Sequence, residues 1–457
     1  LYMKELPVKK NEAYTVEIID NGFEGEGIAR IDGFTIFVPN AIKGETCEIL
    51  IVIVLASHGY GKLIRIINPS EQRVEPDCAT YKRCGGCDLR HVKYEETLKM
   101  KQNAVQSLVN KTLKNKLQVK ETVGMENPLH YRNKAQYPIG INKQGEPVIG
   151  VFANRTHEVI PIDNCLIQNK KSEEIAKFII EFIKEKNISI YDEKTGKGLV
   201  RHIVTKVGIK TGEIMCVIVI NGHKIPNENE LVENLKTRYP EIKAIVKNVN
   251  MKNTNVILGQ ENINLYGNGY IEDILGEYKF KISPLSFYQV NPVQAEKLYN
   301  LGVSMAEITK NDVVFDLYCG IGTISLFMSK FAKKVYGIEI VEEAVKMAKE
   351  NAQNNNVSNT EFFAGDVEIV LDDLINNKGL KADVVMFDPP RKGLDKKSID
   401  NILNIRPKKI VYISCNPATL IRDLADFENE YDIKTIIPVD MFPFTSHVEC
   451  VATLQLK

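Results

Sequence analysis

One cysteine of this 457-residue chain stands where it could act as a nucleophile. Cys415, in the stretch ISCNPATL, follows the run KIVY, which predicts a strand, and Pro417 lies where a first helical turn accepts proline. A free cysteine is more often a buried structural residue, so the position alone leaves both interpretations open. Glu449, in SHVECVATL, could act as a general base beside such a thiol. His447 is an alternative base, although a lone histidine beside a final strand is more often structural.

Three carboxylates lie at the ends of predicted strands near the C-terminus: Asp316 in FDLYCGIG, Glu339 in YGIEI and Asp388 in FDPPRKG. From residue 311 onward, strands alternate with helices, which predicts a parallel sheet that binds ligands at the carboxyl ends of its strands. Glu339 lies 23 residues after Asp316, where doubly wound folds place an acid on ribose hydroxyls. This spacing fits NAD and S-adenosylmethionine alike. Gly320 and Gly322 make a tight turn without a third glycine, which favours a ligand that lacks a pyrophosphate.

The two prolines after Asp388 hold a rigid, non-helical backbone that offers no competing N–H group. Asp-Pro-Pro at a fourth strand resembles the motif of methyltransferases that modify nucleobases. Carbon 5 of a pyrimidine is a poor nucleophile, but a thiolate that adds to carbon 6 creates an enolate whose carbon 5 can attack a methyl group. A base must then remove the carbon 5 proton so that the thiol can leave. Cys415 and Glu449 are the candidates for these two roles.

Five motifs follow one another between residues 287 and 454: FYQVN, DLYCGIGTISL, FDPPRKGL, SCNPATL and SHVECVATL. In this order they resemble the RNA uracil-5-methyltransferases that make ribothymidine, and the resemblance implies S-adenosylmethionine as methyl donor. It also implies donor contacts by Gln289, Tyr318, Glu339, Asp366 and Asp388, substrate contacts by Asp388 and Phe287, nucleophilic attack by Cys415 and proton removal by Glu449. Phe287 would stack on a base that has been extracted from the RNA stack.

Four other cysteines are spaced like metal ligands: Cys78, Cys84 and Cys87 in CATYKRCGGC, and Cys165 in IDNCLIQ. Four thiolates fit a [4Fe-4S] cluster or a structural zinc ion equally well, and reduced thiols are a third possibility. The ribosomal RNA branch of the resembled family carries a [4Fe-4S] cluster on this arrangement, so the resemblance implies a cluster. Its expected role is structural or RNA-positioning, because thiolate addition and methyl transfer require no electron.

Short strands with Asn and Gly turns fill residues 14–67 and predict a small β-barrel. The stretch GEGIARIDGFTIFVPNAIKGE resembles a TRAM domain, which implies contact with RNA. The middle region mixes helices, near residues 94–113 and 172–186, with strands. We therefore expect a multidomain α/β protein. Its parts are an OB-like TRAM barrel over 8–68, a central cluster-bearing, RNA-binding α+β domain over 75–278, and a Rossmann-like methyltransferase domain over 279–457.

The composition and the cysteine count bear on the cellular compartment of the protein and on membrane association. Its 59 basic and 59 acidic residues give no net charge, and no apolar run is long enough to span a membrane. The first residues lack a signal-peptide pattern, and nine cysteines, an odd number, favour metal or catalytic use over disulfides. We expect a cytoplasmic protein with no membrane association and no obligate protein partner.

The barrel and the four cysteines bear on the identity of the RNA. Bacterial tRNA enzymes of the resembled family typically lack both features, which favours 23S rRNA as the substrate. Some archaeal-type relatives with both features modify tRNA, so tRNA is the alternative substrate. A non-catalytic RNA-binding factor on the same scaffold is a further alternative, against which the presence of Cys415, Glu449 and Asp388 argues.

Overall fold

A computed structural model describes residues 6–153 and 156–457 of the chain. The described ranges contain three sheets of six or seven strands and one two-stranded hairpin. No helix within them is both long and apolar enough to cross a membrane. The expected sequence of a small barrel, an α+β region and a doubly wound α/β region is confirmed.

The N-terminal sheet is built from short strands whose alternate residues point inward. Its strands are β1 (Ala13–Glu17), β2 (Asp20–Asn21), β3 (Gly27–Ile31), β4 (Phe34–Val38), β5 (Thr46–Val54) and β6 (His58–Asn68). They pair in the order β1-β5-β6-β4-β3-β2, and β1 also approaches β3, which curls the sheet into the predicted small barrel. Ile36, Ile49 and Ile51 are fully buried in its core.

The middle of the chain forms a second sheet with helices on it. Helix α1 (Tyr94–Thr112) precedes this sheet, whose elements are β7 (Lys134–Ile141), β8 (Pro147–Phe152), β9 (Val159–Pro161), α2 (Lys170–Glu185), β10 (Val200–Val207), β11 (Ile214–Ile220), α3 (Glu228–Arg238), β12 (Ile242–Val249) and β13 (Glu261–Tyr266). The strand order is β13-β12-β11-β10-β7-β8-β9. Asn169 caps α2, and the helix buries Ile175, Ile179 and Ile183 at helical spacing.

The C-terminal part contains the hairpin β14 (Ile271–Leu275) and β15 (Tyr278–Ile282), followed by the doubly wound fold. The elements of that fold are α4 (Pro292–Ala306), β16 (Val313–Leu317), α5 (Thr323–Ser329), β17 (Lys334–Glu339), α6 (Glu342–Asn354), β18 (Thr360–Ala364), α7 (Val367–Asp372), a π-helical turn (Asp373–Asn377), β19 (Val384–Phe387), α8 (Lys396–Ile405), β20 (Lys409–Ser414), α9 (Pro417–Phe427), β21 (Tyr431–Val439) and β22 (Glu449–Leu456). The strand order is β18-β17-β16-β19-β20-β22-β21.

One strand of this sheet runs against the others. The pairs from β18 to β20 are parallel as predicted, but β22 is antiparallel to both β20 and β21. A loop of nine residues, 440–448, joins β21 to β22, and so short a connection reverses the chain instead of crossing over the sheet. The reversal has a functional consequence. Strand β22 begins at the edge where the parallel strands end, so its first residue, Glu449, lies at that edge.

Helix α1 packs on the C-terminal sheet, against α9 and β21. Val105 and Val109 are fully buried in the same cluster as residues of β20 and β22. A buried ion pair accompanies this packing, because Lys101 Nζ donates to Asp440 Oδ1 at 2.5 Å. The residue after β21 is therefore held by a helix from the middle of the chain.

Candidate active site

The turn after β16 has a backbone that few sequences adopt. Tyr318 has φ of 64° and Gly320 has φ of 54°, both in the left-handed region. A Cβ atom on Gly320 would meet no atom within 4 Å, so the glycine faces open space. The turn leads into α5, and Gly322, with φ of 81°, precedes the first helical residue. This geometry leaves room for a ligand at the carboxyl end of β16.

A narrow cleft of about 60 Å³ opens beside this turn. Four of the predicted site residues line it: Phe287, Gln289, Tyr318 and Asp388. Phe287 is 73% exposed, whereas Gln289 is buried. The central sheet supports the loop that carries both residues, because Asn133 donates to the backbone oxygen of Gln289 at 3.0 Å. The structure thus brings together residues that lie about a hundred positions apart in the sequence.

Two acids hold the edge of the sheet beneath this cleft. Glu339 accepts the Gly320 N–H at 3.1 Å and the Val341 N–H at 2.9 Å, which ties the end of β17 to the glycine turn. Asp316 is buried, and burial raises its pKa to about 7, although the hydroxyl of Ser325 donates to it and opposes the rise. Its Oδ1 atom has no hydrogen-bond partner among the residues that the structure describes. An unpaired buried oxygen of this kind is suited to a ligand that brings a donor or a positive charge.

Cys415 lies one residue beyond β20, half-buried, with two carboxyl groups near its thiol. Burial raises the pKa of Cys415, the charges of Glu449 and Asp388 raise it further, and the positive charge of Arg391 lowers it. The backbone places Cys415 and Glu449 close together, because their neighbours Ser414 and Cys450 are partners in the antiparallel register of β20 and β22. The thiol and both carboxyl groups therefore share one site.

Glu449 is a second buried acid whose pKa is raised at this site. It is 4% exposed, and within residues 6–153 and 156–457 its Oε2 atom has no hydrogen-bond partner. Burial raises its pKa to about 8, with a further contribution from the charge of Asp388, while Arg391 lowers it. Burial also raises the pKa of Asp388 to about 7. Acids with pKa values near neutrality exchange protons readily at physiological pH, as general acid–base catalysis requires.

Arg391, in the stretch FDPPRKG, was not among the predicted site residues. Its backbone oxygen accepts hydrogen bonds from Asn416 Nδ2 at 3.2 Å and from Thr419 Oγ1 at 3.3 Å. These bonds connect the loop after β19 to the loop that carries Cys415. Asn416 also caps α9 by accepting the Ala418 N–H. A cation directly after Asp-Pro-Pro was the available signal.

Two other candidates are placed less centrally. Asp366 caps α7 by accepting the Glu368 N–H at 3.0 Å, and its side chain is outside the lining of the cleft. The neighbouring Gly365 N–H donates to the Glu339 backbone oxygen, so Asp366 follows the strand next to Glu339. The His447 side chain is exposed, and burial of part of its ring lowers its pKa. Its ring packs edge-on to Phe442.

The four cysteines that were predicted to bind a metal line one cavity of about 650 Å³. All four are free thiols, and burial raises the pKa of Cys87 to about 12. Within residues 6–153 and 156–457, no three His, Cys, Asp or Glu side chains converge closely enough to hold a metal ion. The cysteines therefore share a cavity without forming a preassembled metal site. Their chemistry, four sulfur donors with Arg90 and Arg132 in the same lining, fits an anionic metal–thiolate centre.

Comparison with known proteins agrees with this geometry. Residues 93–457 match the family model "tRNA (Uracil-5-)-methyltransferase", and residues 7–64 match the TRAM domain. An uncharacterized RNA methyltransferase of Clostridium acetobutylicum is 48% identical, over 99% of both chains. One from Staphylococcus aureus is 44% identical, over 98% of this chain and 99% of the relative.

A solved structure extends the comparison to the whole chain. Pyrococcus abyssi tRNA (uracil-54, C5)-methyltransferase, in complex with S-adenosyl-L-homocysteine, superposes with a TM-score of 0.76 and 28% identity. The match covers 96% of this chain and 99% of that one. That relative, which shares this fold over nearly the whole chain, holds the demethylated donor. The chain belongs to the family of S-adenosylmethionine-dependent RNA uracil-5-methyltransferases that carry a TRAM domain.

Proposed function

We propose that this protein makes 5-methyluridine in 23S rRNA through a covalent adduct between Cys415 and carbon 6 of the target uracil. One observation carries the proposal: the Cys415 thiol lies at the end of β20 beside the buried carboxyl groups of Glu449 and Asp388. A purely structural cysteine would not need two acids whose burial costs free energy.

The glycine turn and the carboxylates around it would hold the methyl donor. Glu339 uses each of its oxygens for one backbone N–H, and each oxygen keeps a lone pair with which to accept from a ribose hydroxyl. Gln289 and Tyr318 line the cleft where the methionine part of the donor would lie. Asp388, in the same cleft, would face both the donor and the uracil, and Asp366 would stand on the adenine side.

The chain's own residues account for each step of the reaction. The Cys415 thiolate forms a bond to carbon 6, and the electrons of the ring double bond make carbon 5 nucleophilic. Carbon 5 then takes the methyl group from the donor sulfur, whose bond breaks to leave S-adenosylhomocysteine. Glu449 removes the proton from carbon 5, the double bond reforms, and the bond between sulfur and carbon 6 breaks. The thiolate returns, and one proton is released per methyl group transferred.

The target base would reach this site by leaving its stack. Phe287 offers an exposed ring at the mouth of the cleft, and aromatic rings stack with unpaired bases. Lys206 holds the loop that carries this ring, because its Nζ donates to the backbone oxygens of Ser283 and Ser286. The TRAM barrel would add contacts to RNA outside the site.

We also propose that Cys78, Cys84, Cys87 and Cys165 hold a [4Fe-4S] cluster. Their shared cavity and the four sulfur donors support this proposal. Such a cluster would brace the central domain. The residues described above carry the methyl transfer, so no step of the reaction requires an electron from it.

The rRNA substrate has a specific rival. The solved relative from Pyrococcus abyssi is named as a tRNA enzyme that acts on uracil-54, and its match over 96% of this chain favours tRNA as the second candidate. The combination of a barrel and four cysteines favours 23S rRNA. A non-catalytic RNA-binding role is the weakest alternative, because it would leave the acids around Cys415 without a use.

The test is to incubate the purified protein with methyl-labelled donor and total RNA from a strain that lacks its gene. The RNA is then size-fractionated and the labelled nucleoside is mapped. We expect 5-methyluridine in 23S rRNA, and none with the Cys415→Ala variant, which should still bind the donor. Label in tRNA would show that tRNA, and not 23S rRNA, is the substrate. Turnover by Cys415→Ala would refute the covalent mechanism, and absence of label with any RNA would revive the binding-factor alternative.

A further inference from the structure

The loop that leads to Glu449 contains a strained residue. Phe444, in the loop 440–448, has φ of 64°, in the left-handed region that bulky side chains rarely adopt. Backbone strain of this kind persists only where the surrounding structure holds it in place, and it clusters at functional sites. The contacts that hold Phe444 therefore identify what fixes the course of this loop.

Those contacts come from a segment near the other end of the sequence, residues 87–94, which we name the clamp segment. The N–H groups of Asp88 and Leu89 both donate to the Phe444 backbone oxygen, at 2.9 and 3.0 Å. The guanidinium of Arg90 lies 4.3 Å from the centre of the Phe444 ring. The Tyr94 ring packs on the same ring at 5.5 Å between centroids. The strained residue is thus held through both its backbone and its side chain.

A second contact between the clamp segment and the loop lies closer to Glu449. The Asp88 carboxylate accepts the Ser446 N–H at 3.1 Å and the Ser446 hydroxyl at 3.2 Å. Ser446 is three residues before Glu449, and the Glu449 Oε2 atom is buried without a hydrogen-bond partner in the described part of the chain. Glu449 pairs with Val439 in the sheet, and the loop 440–448 joins these two residues, so the course of this loop also bears on where the Glu449 carboxyl group lies.

From these contacts we infer that Asp88 is a positioning residue for the base: through Ser446 and Phe444, the clamp segment sets where the Glu449 carboxyl group lies relative to Cys415. This inference rests on the proposed role of Glu449 in removing the carbon 5 proton. It assigns a function in proton removal to a segment that contains one of the four clustered cysteines, Cys87. Addition of Cys415 to the ring does not depend on Asp88, because β20 and α9 position the thiol.

The inference can be tested because it affects proton removal by Glu449 and leaves the addition of Cys415 unchanged. In Asp88→Ala, the covalent RNA adduct should form at the wild-type rate but break down about 10²-fold more slowly, the cost of a base displaced by about an ångström. Asp88→Asn keeps an acceptor oxygen for Ser446 and should restore most of the rate. Asp432→Ala removes a surface carboxylate that pairs only with exposed Lys434 in the described structure, and it serves as the matched control.

The experiment follows adduct formation and decay by quenching into denaturant, with amide hydrogen exchange of residues 440–448 measured on the same proteins. We expect slower decay and faster exchange in Asp88→Ala alone. Decay at the wild-type rate with unchanged exchange would overturn the inference. Glu449→Gln is run beside it to separate the two hypotheses. If Glu449→Gln itself released product normally, the proposed role of Glu449 would fail, whatever Asp88→Ala does.

Discussion

Replacing Lys101 with methionine tests how helix α1 is held to the C-terminal sheet. The Lys101 and Asp440 side chains are 2% and 0% exposed, and Lys101 Nζ also donates to the Phe442 backbone oxygen at 3.2 Å. Burial lowers the pKa of Lys101, and attraction to Asp440 opposes this without fully compensating for it. Each charge of this buried pair therefore depends on the other, because either one alone would be buried without an opposite charge.

The expected magnitude follows from what Lys101→Met leaves behind. Methionine fills a similar volume, so the change is mainly electrostatic: Asp440 keeps a buried negative charge, with the Tyr94 hydroxyl at 2.7 Å as the remaining side-chain donor. Removing one partner of a buried pair costs about 3–5 kcal/mol of unfolding free energy. The double variant Lys101→Met/Asp440→Asn removes both charges and should recover most of that loss.

The assay is urea unfolding of the full chain, with the midpoint and the m-value determined for each variant. Lys99→Met is the control on the same helix, because Lys99 is 66% exposed and pairs with Glu96 at 3.2 Å. An exposed pair of this kind should change stability by less than about 0.5 kcal/mol. A loss below about 1 kcal/mol for Lys101→Met, at an unchanged m-value, would refute the argument, because it would equal the effect of a surface pair.

Other predictions concern pH, base stacking and the cysteines. Burial and Asp388 raise the pKa of Glu449 to about 8, so adduct breakdown should accelerate as pH rises through that value. Arg391 lowers the same pKa, so Arg391→Gln should move this rise to higher pH, and an unmoved profile would contradict the assignment. Phe287→Ala should weaken RNA binding about 5- to 150-fold, the equivalent of about 1–3 kcal/mol of base stacking, without changing the Kd of the donor; equal weakening of both would argue against stacking. Wild-type protein purified without oxygen should contain iron and sulfide, and Cys87→Ser should lose them; iron-free wild-type protein would exclude the cluster.

The fold was largely predictable because its signals are local. Alternating strands and helices after residue 311 specify a doubly wound sheet, and short strands with Gly and Asn turns specify the barrel. The reversal of β22 was not predictable from periodicity. A strand has the same alternation in either direction, and only the length of the 440–448 loop distinguishes a reversal from a crossover.

Some residues of the site were likewise predictable from the sequence and others were not. Cys415 and the strand-edge acids stand out because each follows an apolar run, and the carboxyl ends of parallel strands meet at one edge. Arg391 influences Glu449 and Cys415 through space, and its sequence neighbours do not reveal this. The contacts of the clamp segment were even harder to predict from the sequence. Asp88 and Ser446 are 358 positions apart, and their hydrogen bond follows from how α1 docks on β21.

The central claim is that Cys415 and Glu449 act in sequence on one uracil, and trapping the adduct tests it most directly. Glu449→Gln is mixed with methyl donor and substrate RNA, then denatured and digested, and the peptides are analysed by mass spectrometry. We expect the peptide containing Cys415 to carry a methylated uridine, and we expect no such peptide in Cys415→Ala. Free 5-methyluridine released at the wild-type rate, with an unmodified Cys415 peptide, would contradict it.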